Sequence, residues 1–312
     1  MPLAKRVTKP TDEARPRLKL LTSGATGVGK TTSSIWPNGY LIDGEHGSDH
    51  YDNLLAERNC GRKHITDTDE LYRELQLLMT ERHDYQHLII DPITVFYEDG
   101  QAKWTDRYAR FHSEKGKRDD LVRASMQDFG PGYWAKVKRE QRGVINVIKK
   151  IDMNVIVTAH EKPMYAPGGG FQVVGQTYDG VKGLDYLFDT VLRLVLVGDK
   201  RVAYTQKDRT HKFPAQFDYD FDTIRKLWGD SLTQASEPIV LATPEQVARI
   251  VTLLGVVTAS EAKSNEEWAD DCLRRAEASE WSEVEEAKVV KVIKFLEARP
   301  TTQGEPPCQT TN

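Results

Sequence analysis

The run Gly24-Ala-Thr-Gly-Val-Gly-Lys-Thr31 fits the pattern G-x-x-x-x-G-K-[ST]. Its glycines let the backbone wind so that successive N–H groups point inward at phosphate oxygens. Lys30 is placed to neutralise the β and γ phosphates, and Thr31 offers a hydroxyl to Mg²⁺. Gly24, Ala25, Thr26, Gly27, Val28, Gly29, Lys30, Thr31 and Thr32 are therefore the expected contacts of a nucleoside triphosphate, taken as ATP. A helix following the loop adds the positive end of its dipole. A metal at such a site needs a second carboxylate, and HLIIDP offers Asp91 at the end of an apolar run, where it would hold Mg²⁺ through water. An Asp also ends strands for turn reasons alone, so the phosphate loop carries that assignment.

Those groups need a scaffold that brings loop ends together. From Leu18 to about Trp228 short apolar runs alternate with helix-like stretches, the pattern of a mostly parallel sheet wrapped by helices, hence an α/β class. LKLLTS (18–23), GYLID (39–43), HLIID (87–91) and NVIVTA (154–159) read as strands. Leu71, Leu75 and Leu78 recur at helical spacing, and residues 131–151 form a helix that starts at Pro131. TVLRLVLVG and RVAYTQK read as a hairpin closing the sheet edge. After about Ser236 the texture becomes helical, with capping boxes expected at Thr243–Gln246 and Ser282–Glu285 and a further helix over 265–278. The tail from Pro300 has no apolar periodicity and reads as disordered.

The 312 residues carry 47 acidic against 43 basic side chains, a formal charge of −4 that on its own argues against a nucleic-acid-coating protein. The sum hides opposed regions. Residues 1–19 hold six basic and two acidic groups, 101–150 thirteen against six, and 237–299 eight against thirteen. The first two suit an anionic partner, although solvated helix faces look alike. Cys60, Cys272 and Cys308 lie far apart with no CxxC pair, so neither a zinc cage nor a disulfide framework is expected. No apolar leader or membrane-length stretch is visible, which reads as a soluble, cytoplasmic protein without a membrane partner.

YLIDGEHGSD (40–49), one strand after the phosphate loop, resembles the RecA family, which carries there a strand ending in Asp-x-Glu-His. The resemblance implies that Glu45 polarises the attacking water and that Asp49 contacts adenine, with Tyr51 one residue out of register with the usual stacking aromatic. It makes His160, at the end of VIVTAHEK, a sensor of the γ phosphate. Lys207 and Arg209 in TQKDRTHK are similar to the basic pair that RecA filaments and hexameric helicases push into a neighbour's ATP site. Each also has an ordinary reading: a solvated acid, a structural histidine, a basic edge strand. In RecA-like proteins the long Gly-rich segment after His160 orders on single-stranded DNA. Tyr165, Phe171 and Tyr178 are placed to stack on bases, and Lys162 and Lys182 to meet phosphates. Arg107, Arg110, Lys115, Lys117 and Arg118 extend the same chemistry.

Over residues 18–215 the chain looks like phage-encoded RecA-like ATPases that assist single-strand annealing, often labelled AAA-type phage nucleotide-binding proteins. That implies a basic tail (1–17), a RecA-like ATPase core (18–235), a helical C-terminal module (236–299) and a disordered tail (300–312). About 20 residues precede the first strand, too few for the N-terminal helical domain of bacterial RecA, so annealing support or a ring is expected rather than a long filament. Expected partners are single-stranded DNA, further copies of the chain in a ring or short filament, and a single-strand-binding or other recombination protein on the C-terminal helices. A helicase or helicase loader of the same fold, and a non-catalytic ATP-gated interaction switch, remain as alternatives.

Overall fold

The computed structural model describes residues 17–113, 131–166, 171–255, 259–276 and 278–298. They form two compact units, one ending at Pro238 and the other beginning at Ile239.

The larger unit is built on β1 (Lys19–Gly24), β2 (Gly39–Asp43), β3 (Gly61–His64), β4 (His87–Asp91), β5 (Asn154–Ala159), β8 (Thr190–Val197), β9 (Lys200–Asp208) and β10 (Gln216–Asp218), with β6 (Glu161–Tyr165) and β7 (Val173–Tyr178) apart. The main sheet runs β10-β9-β8-β1-β5-β4-β2-β3. Every pair from β8 through β1 to β3 is parallel; β8–β9 and β9–β10 are antiparallel. The expected α/β class with a mostly parallel sheet is thus borne out. The strands are apolar on both faces because both are covered. Leu20, Leu41, Ile89, Ile156 and Leu192 lie in one buried cluster with Trp36 and with Ile224 and Trp228 of α6 (Phe221–Trp228). Leu21, Leu88, Ile90, Val155 and Val157 point the other way and are equally buried. On that side α3 (Thr68–Thr80), α4 (Ile93–Ser113) and α5 (Pro131–Lys150) pack on one another.

Register decides what meets what. Asp43 lies beside Asp91, Ile90 beside Val157 and Ser23 beside Ala159. The chain segments leaving β1, β2, β4 and β5 therefore emerge side by side at one edge, where open parallel sheets bind ligands.

A helix follows the phosphate loop as expected: α1 (Lys30–Ser34) has five residues and stops ahead of Pro37, whose ring disfavours helical backbone before it. Other expectations need correcting. The β8–β9 hairpin does not close the sheet, because β10 pairs outside it. Within the Gly-rich segment after His160 two strands had no counterpart in the expectations: β6 and β7 pair antiparallel, Glu161 opposite Tyr178. β3 had no counterpart in the sequence reading; GRKH is half-exposed and carries no apolar period. Arg17, grouped with the tail, is tied to Asp152 at 2.8 Å.

The smaller unit holds α7 (Pro244–Gly255), α8 (Ala259–Arg275) and α9 (Glu286–Glu297) around Ile250, Trp281, Val284, Val289 and Leu296. The first capping box forms in both directions, Gln246 N–H to Thr243 Oγ1 at 3.3 Å and Thr243 N–H to Gln246 Oε1 at 2.9 Å. The second does not. Ser282 donates to Glu280 within a 3₁₀ turn, and Glu285 precedes α9 without a side-chain cap. Among the described residues no helix is long and apolar enough to cross a membrane.

Candidate functional site

A cleft of about 280 Å³ opens at the carboxyl edge of the parallel strands, lined by Thr26, Gly27, Gly29, Lys30, Thr31, Thr32, Glu45, Tyr51, Asp91, Pro92 and His160. Residues separated by more than a hundred positions converge there because their strands are neighbours.

The phosphate loop turns on two left-handed glycines, Gly27 at φ +81° and Gly29 at φ +85°. Val28 between them is buried in the core and anchors the loop, while Gly24 and Ala25 present carbonyls to the Lys30 ammonium at 2.8 and 3.1 Å. Burial pulls Lys30 below the usual lysine range, against the opposing influence of Asp91, Glu161 and Glu45. Thr32 donates to the Gly29 carbonyl at 3.1 Å.

Asp91 is buried at the end of β4 and accepts a hydrogen bond from Thr158 of β5. Burial raises its carboxyl above the ordinary aspartate value; hydrogen bonds from Thr158 and Thr31 and the charge of Lys30 work against that rise, and Asp43 adds to it. Thr31 and Asp91 thus form a contiguous oxygen donor set, the chemistry a hard cation such as Mg²⁺ takes. The residues present fit that ion.

Glu45 owes its place to Asp43. That carboxylate is fully buried and accepts the backbone N–H groups of Glu45 (3.1 Å), Gly47 (3.1 Å) and Ser48 (2.9 Å) and the Ser48 hydroxyl. Burial would raise its pKa, but the Ser48 hydroxyl and the backbone donors outweigh it and hold it below the ordinary value. The first residue of Asp-x-Glu-His is therefore the organiser of the turn that presents the third. Glu45 then faces His160 across the cleft, its carboxylate oxygens 3.1 and 3.2 Å from Nε2. His160 is fixed in turn by its backbone, whose N–H donates to Thr94 Oγ1 at 3.0 Å and whose carbonyl accepts from Asp179 at 2.7 Å.

Other expected residues lie elsewhere. Asp49 does not line the cleft; it faces His64 at 3.3 Å and His46 at 3.6 Å, and Tyr51 lines the cleft instead. Lys207 donates to the carbonyls of Asp185 (2.6 Å) and Phe188 (2.7 Å), and Arg209 to that of Tyr186 (2.8 Å). Both sit at the end of β9 away from the phosphate loop. On the β6–β7 hairpin Tyr165 and Phe171 are exposed, Phe171 by 96%. Lys162 pairs with Asp179 at 2.9 Å, Tyr178 donates to Asp185 at 2.7 Å, and Lys182 is exposed. Arg107 is exposed on α4 and lies over the Trp104 ring at 4.9 Å. The Arg110 side chain and Lys115, Lys117 and Arg118 lie outside the described residues.

One residue at the loop escaped the sequence reading. Arg201, at the start of β9, donates from Nε to the Val28 carbonyl at 3.1 Å and from Nη2 to Thr32 Oγ1 at 2.9 Å. No motif announces it, since its place follows from the pairing of β8 with β1 and β9. Arg193 is similar, meeting Glu161 at 2.8 Å at the same end of the sheet.

A family model described as an AAA domain, AAA_24, matches residues 17–213. No curated protein sequence matches the chain. Among solved structures, a RadB recombinase is similar at 14% identity and a TM-score of 0.39, covering 64% of this chain and 86% of that one. A DnaB-like replicative helicase, from a structure with its primase interactions, is similar at 9% identity and a TM-score of 0.40, covering 66% of this chain and 55% of that one.

Proposed function

The chain belongs to the AAA_24 family of AAA domains, and from that premise we propose that it is a Mg²⁺-dependent ATPase that acts on single-stranded DNA in recombination, assisting strand annealing. The observation that carries the reading is the convergence of Lys30, Asp91, Glu45 and His160 on one cleft.

The triphosphate lies along residues 24–32, with backbone N–H groups on its oxygens. Lys30 exchanges the Gly24 and Ala25 carbonyls for phosphate, and a partly desolvated ammonium gains more from an anion than a solvated one does. Thr31 and Asp91 would hold a magnesium ion, which would supply neutralisation of charge on the phosphate oxygens. Glu45 orients a water in line with the γ phosphorus, and positioning of this kind is most of what a protein supplies to phosphoryl transfer. Water adds at phosphorus, the bond to the bridging oxygen breaks, and ADP and phosphate leave with the proton passing through Glu45. His160 meets Glu45 across the cleft, so a γ phosphate bound there competes for the same imidazole. Because His160 directly precedes β6, that competition reaches the hairpin that carries Tyr165 and Phe171, the proposed base-stacking pair. Lys162, Tyr178, Lys182, Arg107 and Arg110 complete the proposed DNA contacts. Tyr51 of the cleft lining takes the adenine side in place of Asp49.

The test is ATP turnover with and without single-stranded DNA across a salt series. Stimulation should be present and decline as salt rises, since phosphate contacts release counterions. Glu45→Gln should lower turnover by at least about a hundredfold while ATP still binds, and Lys30→Ala should abolish binding and turnover together. Turnover indifferent to every single strand tried would remove DNA from the proposal. No turnover at all would replace it with an ATP-gated switch.

A further inference from the structure

Beside the nucleotide cleft, on the far side of the turn that presents Glu45, lies a second constellation. His46 and Asp49 come from the turn after β2, and His64 from the end of the edge strand β3. One ligand atom of each lies within 4.8 Å of the others. We propose that His46, Asp49 and His64 form a binding site for a first-row divalent ion of the zinc class, separate from the magnesium site at Thr31 and Asp91.

Two imidazoles and one carboxylate suit zinc, cobalt or nickel ions, whereas magnesium prefers oxygen donors. With bonds of about 2.0–2.1 Å in a tetrahedral site, neighbouring ligand atoms stand about 3.3–3.4 Å apart, and His64 Nε2 is 3.3 Å from Asp49 Oδ1.

His64 Nδ1 is buried without a hydrogen-bond partner, and the nearest acidic group is the fully buried Asp43 carboxylate, 3.7 Å away. A proton placed on Nδ1 would face that carboxylate, as in histidines oriented for metal binding. That tautomer leaves the Nε2 lone pair and Asp49 Oδ1, 3.3 Å apart, as two donors that a cation can bridge. His46 must move to join, because its ring now stacks on that of His64 with centroids 4.2 Å apart and planes 16° from parallel, and lone pairs of stacked rings do not converge. Its side chain is 57% exposed, so rotation about the ring bond is free.

The consequence is local. The ion would tie the turn 44–49 to β3 and so set how rigidly Glu45 is held. This last step rests on the proposed ATPase; binding of the ion does not.

The experiment uses the full chain, with any affinity tag removed, freed of nucleotide and stripped with chelator. Titration with Co²⁺ followed by visible absorption, and with Zn²⁺ by calorimetry, should give one ion per chain. Affinity should fall by at least about tenfold in His64→Ala and in His46→Gln. His46 is exposed, so His46→Gln should keep the wild-type melting curve. Asp91→Asn should retain the ion. Absence of a bound equivalent in the wild type, its survival in both histidine variants, or its loss in Asp91→Asn would each overturn the site. A bound ion in a protein that hydrolyses no ATP would uphold the site and remove only the link to Glu45.

Discussion

The two left-handed glycines of the phosphate loop offer a matched comparison, because one faces open space and the other a guanidinium. At Gly27, φ +81°, an added Cβ meets nothing within 4 Å. Gly27→Ala therefore costs only the left-handed backbone penalty of about 1–2 kcal/mol, offset by about 0.4–1 kcal/mol from the stiffer unfolded chain, a net of about 1 kcal/mol. At Gly29, φ +85°, the Cβ would lie 2.6 Å from Arg201 Nη2 and 2.8 Å from Cζ. Arg201 must withdraw, giving up its bonds to the Val28 carbonyl and Thr32. Two charge-assisted bonds at a half-exposed guanidinium, partly replaced by water, are together worth about 2 kcal/mol. Gly29→Ala should then cost about 3 kcal/mol, a gap of about 2 kcal/mol between the glycines or roughly thirtyfold in the folding equilibrium. Urea unfolding of the nucleotide-free protein measures both. Arg201→Ala should cost about 2 kcal/mol alone and bring Gly29→Ala down to the cost of Gly27→Ala. Equal penalties at the two glycines, or a gap that survives Arg201→Ala, would refute the clamp.

Asp91→Asn should abolish Mg²⁺-dependent turnover yet raise the melting temperature of the nucleotide-free protein at neutral pH. The sign follows from burial: the Asp91 carboxyl is raised in the folded state, so its contribution is fully present below the ordinary value of 3.8 and is lost as pH rises through the folded value. Asn removes the loss, and melting temperature against pH in wild type and variant reads it; a lower melting temperature for Asp91→Asn at neutral pH would contradict the burial argument. Lys207 and Arg209 should separate in their effects. Lys207→Ala strands the Asp185 and Phe188 carbonyls and should lower stability by about 1–3 kcal/mol, whereas Arg209→Ala should leave stability within about 0.5 kcal/mol and lower turnover only at concentrations where copies associate. Matching melts and matching concentration profiles for the two variants would exclude this division.

The phosphate loop and the cleft position of Asp91 were legible because each is a local signal: glycines, a lysine and a hydroxyl in one run, and an acid at the end of an apolar strand. The strands β2, β4 and β5 were legible for a related reason, since strands covered on both faces are continuous apolar runs. What stayed hidden depends on pairing. β3 is an edge strand of half-exposed residues without alternation, and β10 has three residues. EKPMY and VVGQTY pair as β6 and β7, but the Gly-rich sequence between them gives no strand signal. Arg201 reaches the loop only because β9 returns beside β8. Asp49 and Tyr51 show the limit of registering a loop by resemblance: the Asp43-centred turn swings Asp49 toward β3 and leaves Tyr51 on the cleft.

The β8–β9 hairpin gives this site a directionality that no single residue reveals. β8 runs parallel to β1, so the turn at its end arrives beside the phosphate loop, and β9 carries the chain back to the opposite edge. Arg201 therefore stands at the phosphate loop, with Lys207 and Arg209 about 20 and about 26 Å further along at 3.3 Å per residue. A cation at that remove cannot reach its own chain's cleft, so any action of Arg209 on a phosphoryl group must be on another copy's. Lys207 is held by two carbonyls and buttresses the Leu184–Leu187 turn beneath it, while the Arg209 side chain is 53% exposed. The hairpin thus carries Arg201 against the phosphate loop at one end and an accessible Arg209 guanidinium at the other.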